Sequence, residues 1–71
     1  MVDRNMELAH IAALDANIRQ GRLRIRRQIS LIRELRTDGH STLMANELLH
    51  ELLKSNRVMR EVRAFAVSQL A

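Results

Sequence analysis

The sequence lacks several of the residue types on which small proteins often depend. It contains no cysteine, so neither disulfides nor thiolate zinc sites can stabilise its fold. Phe65 is the only aromatic residue in 71, which leaves almost nothing on which a base or a sugar ring could stack. No apolar run approaches the roughly 18 residues that a membrane-spanning helix needs. The hydrophobic content of 46% nevertheless argues against disorder.

The N-terminal residues, Met1 to Asn5, lack the basic and then apolar pattern of a signal peptide. We therefore expect a soluble, cytoplasmic protein without membrane contact. At this length the chain forms one small domain at most, and such a domain buries so little surface alone that we expect a partner or a second copy.

Catalytic and cofactor motifs are also missing. The four serines have no histidine and carboxylate at triad positions, and Ser41 is better explained as a helix cap. A chain this small does not enclose a substrate pocket unless it oligomerises. We expect a non-enzymatic protein without cofactors.

The histidines do not indicate a metal site. His10 and His40 would lie about 40 Å apart along one helix. Glu47 and His50 have the spacing found in carboxylate-bridged di-iron bundles, but the inward-facing glutamates that must accompany such a pair are missing. We therefore predict no metal ligand.

One clear turn signal divides the chain, at Thr37-Asp38-Gly39-His40-Ser41-Thr42. Gly39 can adopt the left-handed conformation that closes a helix, and Ser41 or Thr42 can cap the next one. The flanking segments repeat their apolar residues every three or four positions, which favours helices over strands. The sequence predicts an all-α antiparallel hairpin, as one domain over residues 1–71, with helices at about 3–36 and 42–70 and a turn at 37–41.

The first predicted helix carries an isoleucine seam, in which Ile11, Ile18, Ile25 and Ile32 recur every seven residues, with Leu14 and Leu35 three residues after the first and last. Gly21 and Gln28 occupy the middle of the same stripe. A helix break at Gly21 would give a three-helix bundle, but the isoleucine phase continues through this glycine. Continuity is the better prediction, since glycine costs only about 1 kcal/mol in a helix.

On the second predicted helix, one face carries Ala45, Leu48, Leu52, Met59, Val62 and Ala66, with Met44, Val58 and Phe65 beside them. Folding about Gly39 sets Gly21 opposite Arg57 and Arg24 opposite Lys54. The polar middles of the two helices then coincide, either as a loosely packed layer or as a hinge or ligand position.

The expected assembly is a homodimeric four-helix bundle. Its predicted self-association residues are Ile11, Leu14, Ile18, Ile25, Ile32, Leu35, Leu48, Leu52, Met59, Val62 and Phe65. A hairpin completed by another protein is the other alternative, besides the three-helix bundle.

Arginine is concentrated between residues 19 and 36, where Arg19, Arg22, Arg26 and Arg33 form a stripe beside the seam. These four are the predicted partner-binding residues, because guanidinium groups pair with carboxylates and phosphates. They can equally form a solvated face or pair with Glu47, Glu51 and Glu61. Without a recognition motif, binding to nucleic acid would be directed to its backbone.

The segment from Arg24 to Leu35, followed by Gly39-His40 with Thr42 and then by Ala45 and Leu48-Leu49, resembles a group of short bacterial proteins from alphaproteobacteria. The resemblance covers about residues 11–53. It implies a bacterial helical hairpin, and because the group has no established activity it assigns no functional residue. Together, these patterns predict a self-associating interaction or regulatory module whose arginines bind an acidic protein, with RNA or DNA as the alternative ligand.

Overall fold

The computed structural model describes residues 3–70 and contains two α-helices, α1 (Arg4–Thr37) and α2 (Leu43–Ser68). The helices pack side by side as a hairpin with extents of 56 × 14 × 13 Å. The predicted all-α hairpin is confirmed, and each helix boundary lies within two residues of the expected one. Residues 1, 2 and 71 of the predicted domain lie outside the described residues.

Helix α1 is continuous through Gly21, so the alternative of a three-helix bundle broken at this glycine is wrong. Ile18 and Ile25, one turn before and one turn after, both lie on the side that packs against α2. Their packing fixes the helical phase across the glycine at a propensity cost of only about 1 kcal/mol.

Helix α1 is closed at both ends by local hydrogen bonds. At its start, the Asp3 carboxylate accepts from the backbone N–H groups of Asn5 and Met6, at 2.9 and 3.3 Å. At its end, Gly39 has a φ of +76°, and the N–H of His40 donates to the carbonyl of Leu35 at 2.8 Å. This is a Schellman arrangement, which explains the glycine at this position.

The start of α2 is capped differently from the prediction. Thr42 occupies the cap position, but its hydroxyl accepts from the Asn46 side-chain amide at 3.2 Å instead of from a backbone N–H. The Ser41 hydroxyl accepts from the N–H of Leu43 at a long 3.4 Å.

The helices meet along two stripes of buried and half-buried residues. On α1 these are Ile11, Leu14, Ile18, Gly21, Ile25, Gln28, Ile32 and Leu35, as the isoleucine seam predicts. On α2 they are Ala45, Leu49, Leu52, Asn56, Met59, Arg63 and Ala66.

The α2 stripe corrects the predicted inward face. Leu48, Val62 and Phe65 are exposed, and the neighbouring positions 49, 56 and 63 turn inward instead. Two features of α1 accommodate the polar residues among them: Gly21 leaves room for the Asn56 side chain, and Asp15 pairs with Arg63. The side chain opposite Gly21 is thus Asn56, one residue from the predicted Arg57.

A second buried polar group lies nearer the turn. The Gln28 amide donates to the main-chain carbonyl of Ala45 at 2.8 Å, which ties α1 to the first turn of α2. Within residues 3–70, no buried side-chain nitrogen or oxygen lacks a hydrogen-bond partner. The buried Gln28 amide therefore has its partner within the hairpin.

Over the same residues, neither helix combines the length and apolar character that crossing a bilayer requires.

Candidate functional site

The inward stripes divide the remaining surface into two long flanks. One flank contains a cleft of about 340 Å³ between the helices, lined by Asp15, Arg22, Arg60 and Arg63. The other contains a groove of about 260 Å³, whose lining includes Gly21, Arg24, Ser55 and Asn56. Positions seven residues apart lie on the same side of a packed helix. An exposed residue therefore belongs to the same flank as the cleft-lining residue seven positions before or after it.

The first flank, which we call the arginine face, combines arginines of both helices. Helix α1 contributes the four predicted partner-binding residues and Arg36, and α2 contributes three more arginines. The arginine face consists of Arg19, Arg22, Arg26, Arg33, Arg36, Arg57, Arg60 and Arg63. All are exposed except Arg63, which is half-buried.

Asp15 is the acid on this face, and it pairs with the Nε of Arg63 across the two helices. Within residues 3–70 it is the one ion pair between side chains. Both side chains remain partly exposed, at 37% for Asp15 and 42% for Arg63, so the pair contributes at most about 1 kcal/mol to stability. Glu47, Glu51 and Glu61 do not pair with the arginines in the described hairpin, so the predicted alternative of interhelix pairing is wrong there.

The arginine face is also partly aliphatic. Leu8, Ile29, Leu53 and Val67 lie on the same flank and are exposed between the arginines. The arginine face therefore presents guanidinium groups and aliphatic side chains together.

The second flank, which we call the apolar face, follows seven positions of α2 spaced three and four residues apart: Met44, Leu48, Glu51, Ser55, Val58, Val62 and Phe65. Met44 is 81% exposed and Phe65 is 66% exposed. The adjoining edge of α1 carries His10, Ala13, Asn17, Gln20, Arg24, Arg27, Leu31 and Glu34. Formal charges balance here, since Arg24 and Arg27 match Glu34 and Glu51.

The total exposed surface is large for a protein of this mass. The hairpin exposes 5801 Å², whereas a compact monomer of 8.2 kDa exposes only about 4,500 Å². Leu14, Ile18, Ile32 and Ala66 are the buried apolar residues of the described chain. Two helices alone do not cover the apolar side chains of this sequence.

The predicted self-association residues fall into two groups. Those of α1, with Leu52 and Met59, are buried or half-buried between the two helices, so their surface is largely used within the hairpin. Leu48, Val62 and Phe65 lie on the apolar face and remain available to another molecule. Their role in self-association stays a prediction.

Sequence reasoning missed that Arg57, Arg60 and Arg63 join the α1 arginines. The pairing of the two helices could have indicated this. Folding about Gly39 places residues opposite each other when their numbers add to about 78, and the pair of Asp15 with Arg63 fits this rule. The histidines do not come together: within residues 3–70 no group of three histidine, aspartate or glutamate side chains could hold a metal ion.

Comparison with models of protein families, with curated protein sequences and with solved structures finds no match to this chain. The resemblance to alphaproteobacterial hairpin proteins therefore stays a prediction, and a functional proposal depends on the two faces alone.

Proposed function

We propose that this protein is a small, non-enzymatic interaction module that self-associates and binds an acidic protein partner through its arginine face. The observation that carries the proposal is the separation of two surfaces. Eight arginines with a single acid lie on one flank, and a charge-balanced stripe of exposed apolar side chains lies on the other. One rod can thus bind two different kinds of surface.

The aliphatic residues favour a protein as the ligand of the arginine face. Ile29 and Leu53 are exposed between arginines of both helices, where they would contact the apolar side of an acidic amphipathic segment. A phosphate backbone offers no apolar surface to match them. Guanidinium groups form paired hydrogen bonds with carboxylates, which gives the charged part of the contact.

Nucleic acid is the second candidate, and the length of the arginine face favours it. Arg19, Arg26 and Arg33 repeat about every 10 Å along α1, so they could contact phosphates at several separate points along a nucleic acid. No aromatic side chain accompanies them, since Phe65 lies on the opposite flank. Contacts would go to the backbone and would weaken steeply with salt.

The test compares two probes by fluorescence anisotropy: an acidic amphipathic peptide rich in glutamate and leucine, and an RNA duplex of equal charge. A face variant, Arg22→Gln/Arg60→Gln, removes two charges from the arginine face. A charge-matched control, Arg4→Gln/Lys54→Gln, removes two exposed cations that lie outside both faces.

We expect the wild-type protein to bind the peptide, the face variant to lose at least tenfold in affinity, and the control to lose less than threefold. Tighter binding of the RNA, with a steep dependence on salt, would replace the acidic protein by nucleic acid as the ligand. Absence of binding to either probe at low salt, or equal losses in both variants, would contradict the proposal.

A further inference from the structure

The apolar face has the chemistry to bind a second copy of itself. Two arginine faces repel each other, whereas two apolar faces bring together surfaces without net charge. Helix α2 is about 39 Å long and the rod is 14 Å wide, so two copies joined on this flank would bury on the order of 1,100 Å² in total. That area lies just below the roughly 1,200–2,000 Å² of stable specific interfaces and above the roughly 800 Å² of most crystal contacts.

A face-to-face pair with two-fold symmetry has two arrangements. In the parallel arrangement the two turns lie at the same end, and α1 of each copy lies on α2 of the other. In the antiparallel arrangement the turns lie at opposite ends, α2 lies on α2 and α1 lies on α1. Since a two-fold interface must match itself, the residue order along the face distinguishes the two.

Building on the proposed self-association, we infer that two copies pair antiparallel through the apolar face, with the two-fold axis near Ser55. The α2 positions of this face are almost symmetric about Ser55. Leu48 and Val62 lie seven residues before and after it, and Met44 and Phe65 lie about ten residues away on either side. Reversal therefore places Leu48 on Val62 and Met44 near Phe65 of the second copy.

The α1 edge is compatible with the same axis. Ser55 lies level with positions 22 and 23 of α1, so residues whose numbers add to about 45 meet in the antiparallel pair. Ala13 then meets Leu31, Gln20 meets Arg24, and His10 meets Glu34. Along this edge, apolar side chains meet apolar ones, and polar side chains meet polar or oppositely charged ones, whereas on α2 Glu51 meets Val58 of the second copy.

The parallel arrangement matches less well. It repeats the pairing of the hairpin, in which residue numbers add to about 78. Leu31 would then meet Leu48, Ala13 would meet Phe65 and Arg27 would meet Glu51, but Asn17 would cover Val62 and Gln20 would cover Val58. Glu34 would cover Met44 in the same way. Burying amide and carboxylate groups against aliphatic side chains without partners is unfavourable.

The antiparallel pair leaves both arginine faces outward, on opposite sides of a four-helix bundle. Each dimer then offers two equivalent sites to acidic partners. If the partner has several acidic segments, such dimers would link partner molecules to one another.

Disulfide formation tests the arrangement, because the natural sequence has no cysteine. Ser55→Cys places two thiols at the two-fold axis, and a mixture of Met44→Cys and Phe65→Cys chains pairs the two ends of the face. Glu47→Cys, exposed on α2 away from the apolar face, is the control. A mixture of Arg27→Cys and Glu51→Cys chains reports the parallel arrangement.

We expect Ser55→Cys to oxidise almost fully to a linked dimer on a non-reducing gel, the Met44→Cys and Phe65→Cys mixture to give mainly the mixed disulfide, and Glu47→Cys to stay at least tenfold less linked. Preferential linking of Arg27→Cys to Glu51→Cys would overturn the orientation. A wild-type dimer in which no cysteine of the apolar face links would overturn the choice of face. A wild-type protein that stays monomeric in light scattering would remove both the self-association and this inference, while peptide binding by the arginine face is measured separately.

Discussion

Gly21 of α1 lies directly against the Asn56 side chain of α2. A Cβ atom added at Gly21 would overlap the Asn56 side-chain oxygen and lie 2.9 Å from its Cγ. The backbone φ of Gly21 is negative, in contrast to that of Gly39, so close approach rather than a special conformation accounts for this glycine. The contact explains how a buried asparagine fits between two helices.

Gly21→Ala is expected to destabilise the hairpin. In an exposed helix interior the same change would stabilise by about 1 kcal/mol, but here the new methyl group must displace the Asn56 side chain. In an Asn56→Ala background the obstacle is absent, and Gly21→Ala should then be stabilising. Urea unfolding of the four proteins at one concentration gives both effects and their coupling. Equal stabilisation by Gly21→Ala in both backgrounds would show that the contact does not limit the packing.

Asp15→Asn should change stability and binding in opposite directions. The variant loses the partly exposed ion pair with Arg63, so its free energy of unfolding should fall by less than about 1 kcal/mol. It also removes the acid from the arginine face, so affinity for the acidic peptide should rise. Thermal unfolding and anisotropy titrations measure the two effects. A lower affinity for the peptide would mean that Asp15 orients Arg63 for binding.

Leu48→Lys should abolish self-association while leaving the helices formed. Leu48 is 50% exposed on the apolar face, and the added charge would be placed against Val62 of the second copy. Leu53→Lys is the matched control, because Leu53 is 43% exposed on the arginine face. Analytical ultracentrifugation with circular dichroism should show a loss of dimer for Leu48→Lys only. If the two variants dissociate to the same extent, the apolar face is not the interface.

The fold could be predicted from local signals that act within one helix or turn. The isoleucine repeat fixed the inner side of α1, and Gly39 closed that helix as expected. The inner side of α2 could not be predicted in the same way. Leu48 and Val62 lie on one side of the stripe formed by Ala45, Leu52, Met59 and Ala66, and they are more apolar than Asn56 and Arg63 on the other side. The choice of Asn56 and Arg63 over Val62 depends on Gly21 and Asp15, which lie far away in sequence.

The same limit applies to the arginine face. Its α1 half follows from the seven-residue spacing of Arg19, Arg26 and Arg33, which one helix determines. Its α2 half depends on how the hairpin is packed, since this packing decides on which flank Arg57 and Arg60 lie. The partner's chemistry depends on surfaces outside this chain, so it enters as a proposal with its own experiment.

The measurement that tests the central claim most directly is the solution mass of the wild-type protein by light scattering, over concentrations from a few micromolar to about a millimolar, with circular dichroism of the same samples. The exposed apolar face predicts a strongly helical species of twice the chain mass of 8.2 kDa. A strongly helical monomer of 8.2 kDa across the whole range would contradict the account, because the hairpin would then be stable with its apolar face in water.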